Sequence, residues 1–480
     1  MCTLSEFEYD SVETEIPTRD RITSDSNATS LPDIKSLCKV CGSNEIQVSL
    51  RNKNNYCKVC FLGILTHKFK ATLGKSKAIR PTDTVLVAHS GKANSTVLVH
   101  LIAANINEST FKKIPFHCKV LYIDDGMAKG RSVEERQCIR NALVNEAKST
   151  QLLTYILPLS RCINDNVREE IQLADTLEIG TTREDTVVQE MFDRLESDTS
   201  RDELLRQLRR KLLVSAARRL NCNKIFVADT SVDLAIKVLG NVSTGRGSQL
   251  PFDVTFSDAR CTDTTLFRPL KDLTGEDIVG YLNCHKLCPI ITCQKYNHSF
   301  VASIRAAARN FVCQLDSEFY STVPTIYRTS EKLASKLEKF DDSKNNVNIE
   351  VDVENDTCIL CEMPLDSRCS GEGSLSVTRA KLFSKQVSTT FVDSSSSIAD
   401  KKNIKCSNNL KGAKCCHLTN PLQKQSLHWY IVKKYLCYSC TLIFSDSKQT
   451  HITLPNFMLN SIERKLHSMH LYNEISDFLL

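Results

Sequence analysis

Two cysteine pairs near the N-terminus, Cys38-Lys-Val-Cys41 and Cys57-Lys-Val-Cys60, are separated by 15 residues. That spacing lets four thiolates converge tetrahedrally on one zinc ion, and an all-cysteine set leaves no open coordination position, so the predicted role is structural. Gly42 follows the first pair, where a tight turn can aim backbone N–H groups at the sulfurs. Cys358, Cys361, Cys437 and Cys440 repeat the pairing across a long insertion and form a second candidate zinc site, with Cys406, Cys415, Cys416 and His417 as competing ligands. The first twenty residues carry acidic side chains and no apolar stretch, which excludes a secretory signal, and no apolar run reaches membrane-spanning length. The expectation is a soluble, intracellular chain with no membrane association, in which 22 cysteines are thiols or metal ligands and not disulfides. Cys118, Cys138, Cys222 and Cys313 stand alone in apolar or helical surroundings and read as inert core thiols.

The second chemical feature is VLVAHSGKANSTVLVHLIAA, a strand that breaks into a loop containing Ser and Gly and continues as a helix. Such a turn points backbone N–H groups and a helix N-terminus at an anion, and Ser90 and Ser95 can add hydroxyl donors. The pattern resembles the PP-loop motif SGGxDS, read as Ser90-Gly91-Lys92-Ala93-Asn94-Ser95. Two positions depart from it: Lys92 replaces the second glycine and Asn94 the acid. If that glycine requires positive φ, lysine costs about 1–2 kcal/mol or reshapes the loop, although its ammonium could also meet a phosphate. A third charged feature is Arg201, Arg206, Arg209, Arg210, Lys211, Arg218 and Arg219 on one predicted helix, either a solvated face or a contact for RNA phosphates. The net charge of +6 is a mild bias that is compatible with a polyanionic partner.

The elements that must position these residues alternate in period. Short β-branched runs at 85–89, 118–124, 153–159 and 224–229 read as buried strands, and helices follow Asn94, Ser132 and Arg201. That alternation predicts an α/β domain with a parallel sheet and flanking helices, over 80–340. Within it an acidic segment near 164–203 shows no strand signal. The rest divides into a polar mobile segment at 1–35, a paired-CxxC module at 36–65, a linker at 341–357, a C-terminal cysteine module at 358–445 interrupted by a Ser-rich stretch, and a tail helix within 446–480.

Further landmarks follow in order. Leu121-Tyr-Ile-Asp124-Asp125 before Gly126 resembles the second-strand signature of PP-loop enzymes, where a strand end meets adenosine. Residues 227–235 lie where the tRNA-modifying members carry GHNxDD, with only Asp233 matching the closing acid, and 241–247 and 268–273 complete the series. Together with the cysteine modules at both ends, the chain is similar to the cytoplasmic tRNA 2-thiolation protein 2 family of the PP-loop ATPase superfamily. The resemblance implies a heterodimer with a catalytic paralogue, tRNA 2-thiolation protein 1. It also implies participation in 2-thiolation of wobble uridine in tRNAs for Lys, Glu and Gln, with sulfur from a ubiquitin-related thiocarboxylated carrier. Ser90, Gly91, Lys92, Asn94, Ser95, Asp124 and Asp233 are then the degenerate nucleotide site, and Arg206, Arg209, Arg210, Lys211 and Arg218 the RNA-binding candidates. Catalytic members carry a CxxC before their Arg pair; here Arg209 and Arg210 remain without it, and Cys162 and Cys261 read as incidental. The expected role is a subunit whose own adenylation chemistry is lost and whose partner binds ATP. Alternatives are an active ATP-dependent tRNA sulfurtransferase using Lys92 as a phosphate ligand, and a zinc-knuckle RNA-binding adaptor.

Overall fold

The structure, a computed structural model, describes residues 37–50, 54–107, 114–163, 171–261, 263–291, 302–319, 321–338, 357–363, 365, 426–445 and 451–476. The expected mobile segment at 1–35, nearly all of the 341–357 linker and the Ser-rich stretch lie outside these residues. The chain divides into two compact units: Met1–Arg161, Asn166–Gln189 and Ser197–Val347 in one; Cys162–Asp165, Glu190–Glu196 and Asn348–Leu480 in the other.

The first unit opens with a hairpin, β1 (Val48–Ser49) and β2 (Asn55–Tyr56), and a long helix, α1 (Lys58–Ser76). The sheet domain follows as β3 (Thr84–His89), α2 (Ala93–Asn107), β4 (His117–Asp124), α3 (Val133–Thr150), β5 (Thr154–Pro158) and β6 (Gln172–Leu173). After α4 (Arg183–Asp193), which begins in this unit, come α5 (Asp198–Arg219), β7 (Lys224–Phe226), α6 (Ser231–Ser243), α7 (Leu250–Val254), β8 (Ser257–Asp258) and β9 (Thr265–Phe267). The unit continues through α8 (Gly275–His285), α9 (Ile304–Glu318) and α10 (Thr322–Glu338).

The sheet order is β6-β5-β4-β3-β7-β9-β8. Its five central strands run parallel, while β6 and β8 pair antiparallel at the edges. The predicted α/β class is therefore what the chain adopts, and the four expected strands and three expected helices all form. The acidic segment, where no strand was expected, contains β6 and α4; two residues of β6 are too few for a period-2 pattern to register. Likewise β9 has only Thr265-Leu-Phe267, and its partner β7 supplies the order that its sequence lacks.

Local chemistry sets several helix starts. Ser132 with Glu135, Thr230 with Asp233, and Thr274 with Asp277 form reciprocal capping boxes at α3, α6 and α8. On one face of the sheet Phe61, Leu65, Phe69 and Leu73 of α1 bury against Val85, Val87, Leu98, Ile102, Ile278 and Tyr281. Each such side chain contributes roughly 1.5–3 kcal/mol relative to exposure, which fixes α1 to the domain. Elsewhere in this unit Val232, Ala235 and Ile236 of α6 pack with Val312 and Val323 of α9 and α10.

In the second unit Ser426–His428 pairs antiparallel with His451–Thr453, and helices span Tyr438–Ser445 and Asn456–Ser476. The tail helix expected within 446–480 spans Asn456–Ser476. No helix among the described residues is long and apolar enough to cross a membrane.

Candidate functional site

The chain runs outward from β3 to β4 and β5, then returns to the other side of β3 at β7. Such a reversal leaves a crevice at the carboxyl ends of the two central strands, the usual ligand site of open α/β sheets. The loop after β3 and the turn after β7 flank it. Gly91 has φ +75, and a Cβ there would lie 2.9 Å from Ile291 Cδ1, so glycine is required by backbone and by space. Ile291 also donates its N–H to the Gly91 carbonyl at 2.8 Å.

Three of the donors that would cradle a phosphate are engaged within the loop. Ser90 N–H donates to Ser95 Oγ at 3.2 Å, Gly91 N–H to His89 Nδ1 at 3.3 Å and Lys92 N–H to Ser90 Oγ at 3.5 Å. Ser95 Oγ–H is in turn shared between two acceptors, the Lys92 carbonyl at 2.8 Å and His89 Nδ1 at 2.9 Å. On its far side His89 Nε2 meets Glu146 Oε2 at 2.6 Å. Because Gly91 N–H needs a lone pair on Nδ1, the ring proton belongs on Nε2, facing the carboxylate. His89 and Glu146 were not singled out from sequence; the only signal was a histidine ending an otherwise apolar strand.

Lys92 is exposed and its φ is not positive, so the conditional left-handed penalty does not arise in this loop. Asn94 Nδ2 donates to Asp233 Oδ2 at 2.6 Å, joining two positions 139 residues apart across the crevice. The same oxygen accepts from Thr230 N–H at 3.1 Å and Thr230 Oγ1 at 2.8 Å, within the capping box of α6. An acid at 94 would set two carboxylates against each other, a pair needing a cation or a proton; the amide satisfies Asp233 without either.

Asp124, at the end of β4, is buried in an ion pair with Arg136, whose Nε lies 2.7 Å from Oδ2, while Oδ1 accepts from Gly126 N–H at 3.0 Å. Asp125 is met by Lys129 at 2.8 Å and by Arg209. Further along α5, Arg206 pairs with Glu203 at 2.7 Å and Asp253 at 3.1 Å, and Arg210 Nε lies 3.5 Å from Asp258. Arg218 reaches Asp263 at 2.7 and 3.0 Å, and Lys211 is half-buried on the same helix. Burial opposes ionisation of Glu203, yet Arg206, Arg246 and Arg305 hold its carboxyl down at about 2. The arginines of α5 are thus built into acidic pairs, a network whose partners on other elements the sequence could not pair by spacing.

The first four cysteines converge, with their sulfurs all within 4.8 Å of one another and Cys41 Sγ 3.7 Å from Cys57 Sγ. The second four do the same, with Cys361 Sγ 3.6 Å from Cys437 Sγ. Four zinc–sulfur bonds of about 2.3 Å in a tetrahedron separate sulfurs by about 3.8 Å, so both sets fit that ion. Their scaffolds are the same. Gly42 (φ +70) donates its N–H to the Cys38 carbonyl at 2.8 Å and Cys38 N–H to Ser43 O at 2.8 Å; Glu362 (φ +61) donates to Cys358 O at 2.9 Å and Cys358 N–H to Met363 O at 2.7 Å. The second pair of each set opens a helix: Cys57 precedes α1 and Cys60 lies in its first turn, and Cys437 precedes Tyr438–Ser445 with Cys440 in its first turn. Cys406, Cys415, Cys416 and His417 lie outside the described residues.

The electrostatics of the clusters agree with a cation site. Backbone N–H groups, that of Cys41 first, pull Cys38 down to about 6, whereas hydrogen bonding to Cys57 pushes Cys60 up to about 12. In the second cluster Cys440 is raised well above the thiol range, first by Cys358. Four thiolates this close demand a compensating positive charge. Of the isolated thiols, burial pushes Cys118 and Cys162 up to about 12 and raises Cys222 and Cys313, while Cys138 is exposed and so is no core residue. Position 138 lies on an outward turn of α3, a phase that the apolar neighbourhood alone did not reveal. Cys261 is buried and accepts from Arg210 at 3.9 Å.

Comparison with known proteins agrees with this arrangement. A model of the family described as cytoplasmic tRNA 2-thiolation protein 2 matches residues 303–442. The chain is 29% identical over 501 residues to cytoplasmic tRNA 2-thiolation protein 2-A of Xenopus laevis, covering 92% of this chain and 94% of the relative. It is 28% identical to the protein 2 of Danio rerio, over 92% and 94%, and 29% identical to that of Drosophila willistoni, over 69% and 79%. Among solved structures it is similar to the U34-tRNA thiolase NcsA from Methanococcus maripaludis with its 4Fe-4S cluster, at 17% identity and a TM-score of 0.44, covering 71% of this chain and 93% of that one. The likeness to the vertebrate relatives extends over 92% of the chain, which is thus similar to cytoplasmic tRNA 2-thiolation protein 2 along nearly its whole length.

Proposed function

We propose that this chain is the non-catalytic subunit of a cytoplasmic tRNA-thiolation complex and works with a catalytic paralogue of the tRNA 2-thiolation protein 1 type. The reaction is 2-thiolation of the wobble uridine in tRNAs for Lys, Glu and Gln, with sulfur from a ubiquitin-related thiocarboxylated carrier. The observation that carries the reading is the loop itself: the N–H groups of Ser90, Gly91 and Lys92 are taken by Ser95, His89 and Ser90. A nucleotide would have to displace each of these bonds, at a cost of roughly 0.5–1.5 kcal/mol apiece, and would gain no loop acid for a metal ion.

Thiolation requires activation of the uridine C2 oxygen by adenylation and then displacement of AMP by sulfur. The N–H groups of Ser90, Gly91 and Lys92 are already engaged and so do not lie open to a phosphate in the first step, and Cys162 and Cys261 are buried thiols unsuited to the second. What the residues of this chain do is structural: Asn94 and Asp233 tie the two halves of the crevice together, and Asp124 with Arg136 closes the end of β4. Cys38, Cys41, Cys57 and Cys60, and separately Cys358, Cys361, Cys437 and Cys440, would hold zinc, which supplies folding energy and no open coordination position. ATP is bound by the partner.

The test is reconstitution. The chain alone should neither consume ATP nor thiolate a tRNA transcript, whereas the mixture with the paralogue should do both; turnover by the highly purified lone chain would overturn the reading. The rival use of Lys92 as a phosphate ligand demands that Lys92→Ala lower activity of the mixture sharply, where this reading expects no more than a twofold change.

A further inference from the structure

We infer that the outward face of α1 is a binding surface for the sugar-phosphate backbone of RNA. The inference rests on the tRNA-subunit reading and names a surface that the arginine pattern of α5 did not suggest. From Lys58 to Arg80 the chain carries Lys58, Lys68, Lys70, Lys75, Lys77 and Arg80 and no carboxylate at all. Lys68 pairs with Asp277 at 3.0 Å, but Lys58, Lys75, Lys77 and Arg80 form no ion pair among the described residues, and all four are exposed.

The helix faces are sharply divided. Phe61, Leu65, Phe69 and Leu73 point into the domain, while Val59, Gly63, His67, Lys70, Gly74 and Lys77 follow one another at intervals of three and four on the opposite side. Gly63 and Gly74 are both exposed, and a Cβ added at either would meet nothing within 4 Å. Glycine is the poorest helix former after proline, and no contact among the described residues requires it at these two places. The two bare positions, about 16 Å apart along the helix, let a broad partner approach the helix backbone between flanking cations.

Charge complementarity selects the partner. A protein surface presents both signs and is matched by mixed charge, whereas a run of cations without one acid matches a uniform polyanion. The contrast with α5 sharpens this, because its arginines face Glu203, Asp253, Asp125, Asp258 and Asp263. Phosphate contacts from α1 would position RNA without reading its sequence, as suits a subunit serving several tRNAs.

The experiment measures binding of the full chain, alone and with its catalytic partner, to an unmodified tRNA transcript by fluorescence anisotropy across a salt series. The triple variant Lys70→Glu/Lys75→Glu/Lys77→Glu should bind at least tenfold more weakly, with the log–log salt slope reduced by about two to three. Gly63→Gln should raise the melting temperature, through better helix propensity, while weakening RNA binding several-fold; a merely structural glycine would not separate the two readouts. Arg218→Glu on α5 should change affinity by less than twofold. Unchanged affinity and slope in the triple variant overturn the inference, as does absence of RNA binding by the wild-type chain in both settings. Retained RNA binding with loss of the catalytic partner also overturns it and assigns the face to a protein. None of these outcomes depends on whether the lone chain consumes ATP, so the subunit reading stands or falls separately.

Discussion

The Ser90–Ser95 loop and the two cysteine clusters are both sites where polar or ionisable atoms converge, yet their atoms have opposite relations to one another. In the loop the N–H groups of Ser90 and Gly91 have Ser95 and His89 as acceptors, and the Asn94 amide has Asp233. In each cluster four sulfurs within 4.8 Å cannot satisfy one another, because the closer they lie the more costly each additional thiolate becomes. A site completed by its own side chains has no further demand for a ligand; a site that is electrostatically incomplete does. On the proposed reading, the chain holds shape with metal and leaves nucleotide to its partner.

The largest effect should come from breaking a cluster. Cys358→Ser with Cys437→Ser should lower bound zinc from about two equivalents to about one and leave the second unit without a cooperative unfolding transition, since structural zinc contributes on the order of 10 kcal/mol to such modules. Elemental analysis and thermal denaturation check both. Cys41, the exposed member of the first cluster, sits beside a helix that also buries four large apolar side chains, so Cys41→Ser should lose its zinc with a smaller fall in melting temperature. Equal losses from the two clusters would contradict the distinction.

A second break concerns the acidic pairs of α5. Glu203, normally near 4.5, is held down at about 2 in the folded chain, so its stabilising contribution is complete above pH 4.5 and disappears as the pH falls toward 2. Glu203→Gln should therefore cost about 2–3 kcal/mol at neutral pH, with the gap to wild type closing across that acid window in denaturation measured against pH.

Asn94→Asp sharpens the comparison from the loop side by making it incomplete. Two carboxylates would then meet where the amide now donates to Asp233 at 2.6 Å. The variant should lose about 1–3 kcal/mol at neutral pH. The paired acids would titrate above the usual carboxylate range, so stability should return as the pH drops below their raised values, and millimolar magnesium should restore part of it. A variant as stable as wild type, without magnesium dependence, would show that the pairing is incidental. The smallest effect belongs to Glu362, which occupies the left-handed turn that Gly42 fills in the first cluster. Glu362→Gly should stabilise the second cluster by about 0.5–1 kcal/mol in chemical denaturation.

Much of this was legible in the sequence where one residue type carries its own spacing. The CxxC pairs announce a knuckle because ligand and turn are adjacent, and the strands at 84–89, 117–124 and 154–158 announce themselves as apolar runs. What the sequence could not convey was pairing at a distance. His89 finds Glu146 and Gly91 finds Ile291 only after the sheet has formed. Arg206, Arg209 and Arg210 read as a charged face because their partners Asp253, Asp125 and Asp258 come from other elements. The basic run of α1 stands in the sequence as plainly as that of α5, and exposure separates the two.

The most direct test of the loop's closed state is calorimetric titration of ATP with magnesium into the purified, zinc-loaded chain. The account predicts no saturable heat up to millimolar nucleotide. Saturable binding in the micromolar range that is lost in Lys92→Ala would contradict it, and would return the phosphate loop of this chain to use.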